Sequence, residues 1–372
     1  MFAINNLIKK IQNKRVLKTQ KNLPIMETPP NSILYAEIVP DIKYPRSTCR
    51  YRDLKYLDNK DLIDYPNNLY FYNSCLCENT PDTYRLFYRA GGEPKCNRDR
   101  IATCLLTKDL KFIYNTNMYI QVYSNWEESA KTLQLKNMVS FKFKNGEHVE
   151  DPRVIRFNNA WFVFYTDGMR VGVAKLDIGT CETIYSHYLY TPREILHEDT
   201  DGREKNWIPF VSGNNLYILY SDMPRTIIHC HDTETSLEMK IIIYTPPETQ
   251  FAWNYGAIRG GSPPVEYDEY SLIWFFHSQK SFETHVGLKR VYMIGVYVSE
   301  NVVPFTIQKY SQLPLLIGIP TETSSTRTLQ DCVVFPCGAV KTESGWKISM
   351  GVNDHETAFL DVTENDFLWK NV

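Results

Sequence analysis

The stretch Gly146–Gly168, "GEHVEDPRVIRFNNAWFVFYTDG", predicts a β-hairpin with an unusual start. Two runs rich in β-branched and aromatic residues flank a polar turn, which is the pattern of two paired strands. The first run, however, begins with Glu150, Asp151 and Arg153, interrupted by Pro152. A strand does not need such a cluster of charges, so this hairpin is a candidate for part of a functional site.

The same hairpin layout recurs along the chain. The aromatic runs are "YRLFYRA", "AWFVFYTD", "NLYILYSD", "SLIWFFHS" and "WKISMGVND". Each follows a turn and an earlier strand, and the unit returns at intervals of roughly 55 to 75 residues, which indicates a repeat architecture. Radial closure of five such antiparallel sheets would leave no exposed edges. We therefore predict an all-β, five-bladed β-propeller, because two β-sandwiches would not explain the shared layout of the five units.

The expected boundaries follow from the repeat and from the charge of the N-terminal region. First strands are predicted to begin near Leu69, Asp151, Lys205, Gly261 and Val333. Residues 1–30 carry six Lys and Arg residues before the first acidic residue, Glu27, and are predicted to form a basic arm in front of a propeller domain at residues 31–372. The arm is interpreted as solvated, with a membrane-surface helix or a presequence as alternatives. Without a signal-peptide pattern, a cytoplasmic location is expected.

Composition excludes several classes of function. A net charge of −2 argues against a nucleic-acid-binding protein, and no apolar run is long enough for a transmembrane segment. The nine cysteines form no CxxC pair, so they are interpreted as buried thiols, and no metal site is predicted. The sequence leaves the oligomeric state open.

Polar residues at the starts of the first strands are expected to converge at one mouth of the central channel. They are Asn73, Ser74, Glu150, Asp151, Arg153, Glu204, Lys205, Asn206, Arg259 and Ser262. Strand alternation predicts that only one of Glu150 and Asp151 faces the channel and that Arg153 turns to the other side. Pro152 is expected to hold the backbone of Asp151 extended.

These residue types suit the cleavage or transfer of a glycosidic bond. A carboxylic acid can protonate the leaving oxygen, and either Glu150 or Asp151 could supply it. A water nucleophile would require a second carboxylate as base, whereas a phosphate nucleophile would require cations. A structural role, in which Asp151 pairs with Arg153 or caps a turn, is the alternative for this stretch.

Six segments, taken in order, carry a family resemblance. "VEDPRV", "EKNWIPF", "IRGGSPPV", "FFHS", "RVYMIGVYV" and "VVFPCG…ISMGVND" together resemble the β-mannoside phosphorylases and β-mannosidases, a family of five-bladed propellers with inverting chemistry and with mannosyltransferase relatives. The resemblance implies that Asp151 is the general acid. It implies that Lys205 and His277 lie near a phosphate or the reacting sugar, that Arg89 and Arg100 match arginines of the first blade, and that Tyr292 and Asp354 match pocket positions.

The resulting prediction is an enzyme that transfers a glycosyl group from β-mannoside-type substrates. It is a glycoside phosphorylase or a mannosyltransferase, with Arg89, Lys205, Arg259 and His277 as anion ligands and Asn73, Asn206, Tyr292 and Asp354 as sugar ligands. No cofactor is expected, because phosphate, a sugar phosphate or a nucleotide sugar would serve as co-substrate. The partner would be a small sugar or an oligosaccharide.

Departures from the family pattern keep two alternatives open. "FHS" places Ser278 where the family has glycine, and Ser74 stands where a proline is usual. An inverting hydrolase would be favoured if Glu204, Asp222 or Asp354 faced Asp151 across the pocket. An inactive propeller that binds sugar is the other alternative, because a fold does not determine a function.

Overall fold

The structure is a computed structural model that describes eight segments of the chain. They are residues 47–63, 70–91, 99–122, 149–190, 204–244, 251–284, 287–319 and 331–372. The predicted basic arm, residues 1–30, and the predicted start of the domain at residue 31 lie outside the described residues.

Almost all regular structure in the described segments is β-strand. After the first strand, β1 (Lys55–Tyr56), three sheets of four strands follow in chain order. Blade 1 contains β2 (Tyr70–Thr80), β3 (Thr83–Gly91), β4 (Arg100–Thr107) and β5 (Met118–Tyr119). Blade 2 contains β6 (Glu150–Phe157), β7 (Ala160–Thr166), β8 (Val171–Asp177) and β9 (Thr183–Tyr188). Blade 3 contains β10 (Ile208–Ser212), β11 (Asn215–Asp222), β12 (Arg225–Asp232) and β13 (Leu237–Tyr244).

The last two sheets are larger or are completed by distant parts of the chain. Blade 4 contains β14 (Ala257–Arg259), β15 (Val265–Asp268), β16 (Ser271–Thr284), β17 (Gly287–Glu300), β18 (Ile307–Ser311), β19 (Leu316–Ile317), β20 (Asp331–Cys332) and the last strand of the chain, β24 (Trp369–Asn371). Blade 5 contains β21 (Val334–Thr342), β22 (Gly345–Val352) and β23 (Glu356–Val362), and β1 pairs with the outer edge of β23. The helical segments within the described residues are three-residue 3₁₀ turns at Tyr51–Asp53, Asn59–Asp61 and Glu364–Asp366. None of the helices in the described part of the chain is long and apolar enough to cross a membrane.

The five sheets form a closed ring. Strand β2 contacts β21 of blade 5 on one side and β6 of blade 2 on the other. The contacts continue from β6 to β10, from β11 to β14, and from β16 to β21. Because every blade therefore touches the next one, the predicted all-β, five-bladed β-propeller is confirmed.

Aromatic side chains fill the spaces between adjacent blades. Phe87 of blade 1 meets Trp161 of blade 2 edge to face at 5.8 Å between ring centroids. Phe210 of blade 3 meets Trp274 of blade 4 in the same way at 5.0 Å. Such buried pairs contribute about 0.5–1.5 kcal/mol beyond the area they bury, so the aromatic composition serves the packing of blades. The cysteines of the described segments are free and buried, as their spacing predicted.

The predicted strand starts agree with the structure except in blade 4. The first strands of blades 1, 2, 3 and 5 begin within three residues of the predicted positions. In blade 4 the innermost strand is divided into β14 and β15 by the segment 260–264. Pro263 and Pro264 cannot donate backbone hydrogen bonds, and a side chain on Gly261 would collide with the backbone of Phe275. The interruption leaves the carbonyl oxygen of Gly261 facing the centre of the ring, where Arg153 uses it.

Candidate active site

Three residues in or near the first strands of blades 1, 2 and 3 have the left-handed backbone conformation. Asn73 has φ 50°, Asp151 has φ 57° and Asn206 has φ 65°. The expectation that Pro152 holds Asp151 extended is therefore wrong. A non-glycine residue in this region stores about 1–3 kcal/mol of strain, and such residues cluster at functional sites. The register shifts at 72–75 and 150–153 mark β-bulges, which re-aim side chains at both positions.

Arg89 gathers carboxylates on the blade 1 and blade 2 side of the channel mouth. Its Nη2 lies 2.5 Å from Asp99 Oδ2, and its Nη1 lies 2.5 Å from Glu150 Oε2. The same Nη1 lies 3.6 Å from Asp151 Oδ1. Burial alone would lower the pKa of Arg89, but Asp99 and Glu150 raise it well above its usual value. We call Arg89 and its three carboxylates the acidic side of the site.

Strand alternation therefore fails at the predicted motif. Glu150 and Asp151 reach the same guanidinium, although adjacent strand residues were expected to point to opposite faces. The physical reason is the bulge between Glu150 and Arg153 together with the left-handed Asp151. Arg89, predicted as an anion ligand, is occupied by carboxylates of the chain itself.

The two oxygens of Asp151 have different surroundings. Asn73 donates a hydrogen bond from Nδ2 to Oδ1 at 2.6 Å, and Arg89 faces the same oxygen. Oδ2 has no hydrogen-bond or ion-pair partner among the described residues. It is not fully buried, since it is absent from the fully buried polar atoms that lack a partner in the described segments. This oxygen therefore keeps some solvent exposure, and the Asp151 side chain as a whole is 17% exposed.

Arg153 crosses the centre of the ring. Its side chain is 2% exposed, its Nε donates to the carbonyl oxygen of Gly261 in blade 4, and its guanidinium carbon lies 4.8 Å from the ring centroid of Phe335 in blade 5. Its Nη1 donates to the backbone carbonyl of Asp151 at 3.1 Å. Asp151 and Arg153 line the same cavity, so the prediction that Arg153 turns to the opposite face is wrong. Its Nη2 is buried without a hydrogen-bond partner in the described segments.

Cations surround His277 on the other side of the mouth. Burial lowers the pKa of His277 well below 6.5, and the nearby charges of Arg153, Arg259 and Lys205 lower it further. Lys205 and Arg259 are exposed and make no hydrogen bond or ion pair within the described part of the chain. We call Arg153, Lys205, Arg259 and His277 the basic side of the site.

The hydrogen bond of His277 limits what its ring can do. Nδ1 lies 2.9 Å from the carbonyl oxygen of Gly260, so this nitrogen must carry the hydrogen. In the neutral ring that the lowered pKa favours, Nε2 is then an acceptor. His277 can accept a hydrogen bond from a sugar hydroxyl or from a protonated phosphate oxygen, but it is not a standing positive charge.

The remaining predicted ligands occupy different depths. Tyr292 stacks on His277 with 5.9 Å between ring centroids. Asn206 and Asp151 line one cavity of about 10 Å³, enough for one water molecule and too small for a sugar ring. Asp354 is exposed at the mouth and has φ 52°. The guanidinium of Arg100 lies over the ring of Tyr119 at 5.2 Å.

The carboxylates that would favour hydrolysis are held elsewhere or lie outside the cavity. Asp222 is buried between blades 3 and 4, where Tyr297 donates a hydrogen bond to it at 2.7 Å. Glu204 accepts hydrogen bonds from Trp207 and Tyr220, each at 3.1 Å. Among the described residues that line the cavity, Asp151 is the one carboxylate. No group of three or more potential metal ligands occurs among the residues that the structure describes.

Sequence reasoning missed two residues of this site and misplaced a third. Asp99 completes the carboxylates around Arg89, and Phe335 supports both Arg153 and His277. Arg153 was assigned to the wrong face. The hairpin repeat contained a signal for Phe335, because its strand opens blade 5. Asp99 follows a run of mainly polar residues in the sequence and belongs to no repeated pattern.

Fold and site together define a five-bladed β-propeller with an acidic and a basic side at one channel mouth. No protein-family model matches the sequence, and the search of curated proteins finds no match. Solved structures do match. A β-1,2-mannobiose phosphorylase from Listeria innocua is 12% identical with a TM-score of 0.54, and the match covers 84% of this chain and 97% of the other. A glycosyl hydrolase from Bacteroides ovatus is 14% identical with a TM-score of 0.56, covering 81% and 87%.

A GDP-Man-dependent mannosyltransferase from Leishmania mexicana is also similar. It is 12% identical with a TM-score of 0.51, and the match covers 87% of this chain and 91% of the other. At this level of identity the comparisons establish a shared fold. The resemblance to the β-mannoside phosphorylase family predicted from the sequence is thus confirmed at the level of the fold.

Proposed function

We propose that the protein is a carbohydrate-active enzyme that transfers a mannosyl group with inversion between a β-mannoside and a phosphate-type group. The supporting observation is the division of one channel mouth into an acidic side around Asp151 and a basic side around Lys205 and Arg259. Inverting transfer needs a proton donor at the leaving oxygen and a nucleophile on the opposite face of the sugar. The two sides supply those functions separately.

The basic side favours phosphate over water as the nucleophile. Lys205 and Arg259 have no counter-ion among the described residues, and charge-assisted hydrogen bonds from such groups hold phosphate well. A hydrolase would need a second carboxylate to activate water. Two of the candidate bases, Asp222 and Glu204, are instead held by hydrogen bonds from Tyr297, Trp207 and Tyr220.

The same chemistry extends to a sugar phosphate or a nucleotide sugar as donor. These co-substrates present a phosphate group to the cations, and the enzyme would then require no resident cofactor. The partner would be a small sugar or an oligosaccharide. A cytoplasmic location is part of the proposal, because free buried thiols in the described segments suit a reducing compartment.

The test is a phosphate-dependence assay on the purified full chain. β-1,2-Mannobiose, the ligand of the similar Listeria structure, is offered with and without inorganic phosphate. In the reverse direction, mannose-1-phosphate and GDP-mannose are offered with a panel of mannoside acceptors. We expect turnover that requires one of the phosphate-bearing partners. Phosphate-independent release of free mannose would support a hydrolase instead, and no turnover in either direction would support a sugar-binding propeller.

A further inference from the structure

Asn73 and Asp151 are two residues with strained backbones whose side chains form a hydrogen bond between neighbouring first strands. Both residues have left-handed backbones, both lie at bulges of innermost strands, and their side chains meet across the boundary between blades 1 and 2. Asn73 is 3% exposed, and its Oδ1 is buried without a partner in the described segments. Left-handed non-glycine residues cluster at functional sites, and these two meet side chain to side chain.

The position of Asn73 is fixed from behind by blade 5. Oδ1 of Asn73 packs directly against Gly351 of blade 5. Only glycine leaves room for the amide at this point, because any side chain on residue 351 would collide with Oδ1. The amide therefore has little freedom to leave Asp151. Its Nδ2 donates to Oδ1 at 2.6 Å, on the same oxygen that Arg89 approaches at 3.6 Å.

We propose that Asn73 is a positioning residue that assigns the two oxygens of Asp151 to different tasks. This inference rests on the proposed function. Asn73 and Arg89 hold Oδ1 as an acceptor, and Oδ2 carries the proton that goes to the glycosidic oxygen. As the bond between the anomeric carbon and that oxygen breaks, phosphate forms a new bond to the carbon, and Asp151 is left as the carboxylate. The proton that hydrogen phosphate loses on becoming the sugar ester restores the acid.

The substitution Asn73→Gly isolates the amide. Glycine adopts a left-handed backbone without strain, so the variant removes the hydrogen bond and keeps the bulge. The matched control is Asn79→Ala at the other end of the same strand, where Nδ2 of Asn79 bonds Oγ1 of Thr83 at 3.0 Å. The control should leave turnover unchanged.

The experiment compares two leaving groups, with phosphate as nucleophile. β-1,2-Mannobiose has a sugar leaving group that must be protonated, whereas 4-nitrophenyl β-mannoside releases a phenolate that needs no proton. We expect Asn73→Gly to lower kcat on mannobiose by about 10- to 100-fold, with a much smaller loss on the aryl substrate. Equal losses on both substrates would overturn the proposal and indicate that Asn73 serves as a sugar ligand or a structural residue.

A double-mutant cycle gives a second readout on mannobiose alone. If Asn73 acts through Asp151, Asn73→Gly should cost less than about twofold in an Asp151→Asn background, because interacting residues are not additive. The full loss in both backgrounds would overturn the positioning role. A wild-type protein that turns over neither substrate would instead reject the proposed function, so the two failures are distinguishable.

Discussion

Glu150 and Asp151, neighbours in sequence, lie on the same side of their strand. Their carboxylates approach one nitrogen of Arg89, at 2.5 Å for Glu150 Oε2 and 3.6 Å for Asp151 Oδ1. Both carboxylates therefore share Arg89, and the attraction between Arg89 and Asp151 depends on the strength of the ion pair between Arg89 and Glu150. Glu150 can therefore influence Asp151 through Arg89.

Replacing Glu150 tests this sharing. In Glu150→Gln the guanidinium has one fewer carboxylate to pair with and attracts Asp151 more strongly, which moves the Asp151 carboxyl from its position. We expect turnover to fall by less than about tenfold. Glu78→Gln, which removes an exposed pair with Lys108 in blade 1, is the control. Higher turnover in Glu150→Gln would contradict this relationship.

Asp151→Asn tests the acid itself. Asparagine keeps the shape and removes the transferable proton, so turnover of a β-mannoside with a sugar leaving group should fall by about 10²- to 10⁴-fold. Thermal stability should change little, since asparagine tolerates the left-handed backbone of this position. Turnover per folded molecule measured beside the melting temperature separates the effects. A loss of stability with normal turnover would show that the carboxylate is architectural.

The repeat in the sequence was sufficient to predict the propeller, and the strand starts show why. Aromatic and β-branched runs define each second strand independently of tertiary contacts, and the turn before each one defines its partner. The division of the first strand of blade 4 was not predicted, because it depends on Gly260 and Gly261 meeting backbone atoms from elsewhere in the fold.

The sequence placed candidate residues on particular strands but did not give their geometry. In the structure Asn73 donates a hydrogen bond to Asp151, and the charge of Lys205 helps to lower the pKa of His277. Alternation then misassigned Arg153, since a bulge adds one residue and reverses the facing of the residues after it. Backbone conformation at Asp151 overrode the usual effect of a following proline, and that choice is made by tertiary contacts.

The exposed cations should bind phosphate directly. Lys205→Ala and Arg259→Ala each remove one charge-assisted contact, and we expect each to weaken inorganic phosphate binding by about five- to thirtyfold, about 1–2 kcal/mol. Calorimetric titration of the folded variants measures this. The control is Lys240→Ala, because Lys240 is an exposed lysine on an outer strand paired with Glu238. Unchanged phosphate affinity in both Lys205→Ala and Arg259→Ala would show that the basic side does not bind phosphate.

His277 should make stability depend on pH. Because burial holds its pKa well below 6.5, the unfolded chain binds a proton below pH 6.5 that the folded protein rejects. Stability contributed by the neutral ring is present above pH 6.5 and is lost as the pH falls, by up to about 1.4 kcal/mol per pH unit. Urea denaturation from pH 7.5 to 5.5 should show a shallower decline for His277→Asn than for wild type. Identical declines would show that His277 titrates normally.

A buried network between blades 3 and 4 should matter for stability and not for catalysis. The hydroxyl of Tyr297 accepts a hydrogen bond from Arg225 at 2.6 Å and donates one to Asp222 at 2.7 Å. Burial raises the pKa of Asp222. Tyr297→Phe removes the hydroxyl that Asp222 and Arg225 share. We expect the free energy of unfolding to fall by about 1–3 kcal/mol, with normal turnover per folded molecule. The Tyr267 hydroxyl makes a similar but less buried pair of hydrogen bonds, accepting from Lys309 and donating to Glu364, and Tyr267→Phe should cost about 0.5 kcal/mol or less.

The configuration of the product tests the central claim most directly. A β-mannoside incubated with the protein and inorganic phosphate is followed by ¹H and ³¹P NMR from the first turnovers. Attack by phosphate opposite the leaving group, with the proton supplied from Asp151, predicts α-mannose-1-phosphate as the initial product and its absence in Asp151→Asn. Free mannose formed at the same rate without phosphate, or a β-configured phosphate ester, would contradict the account.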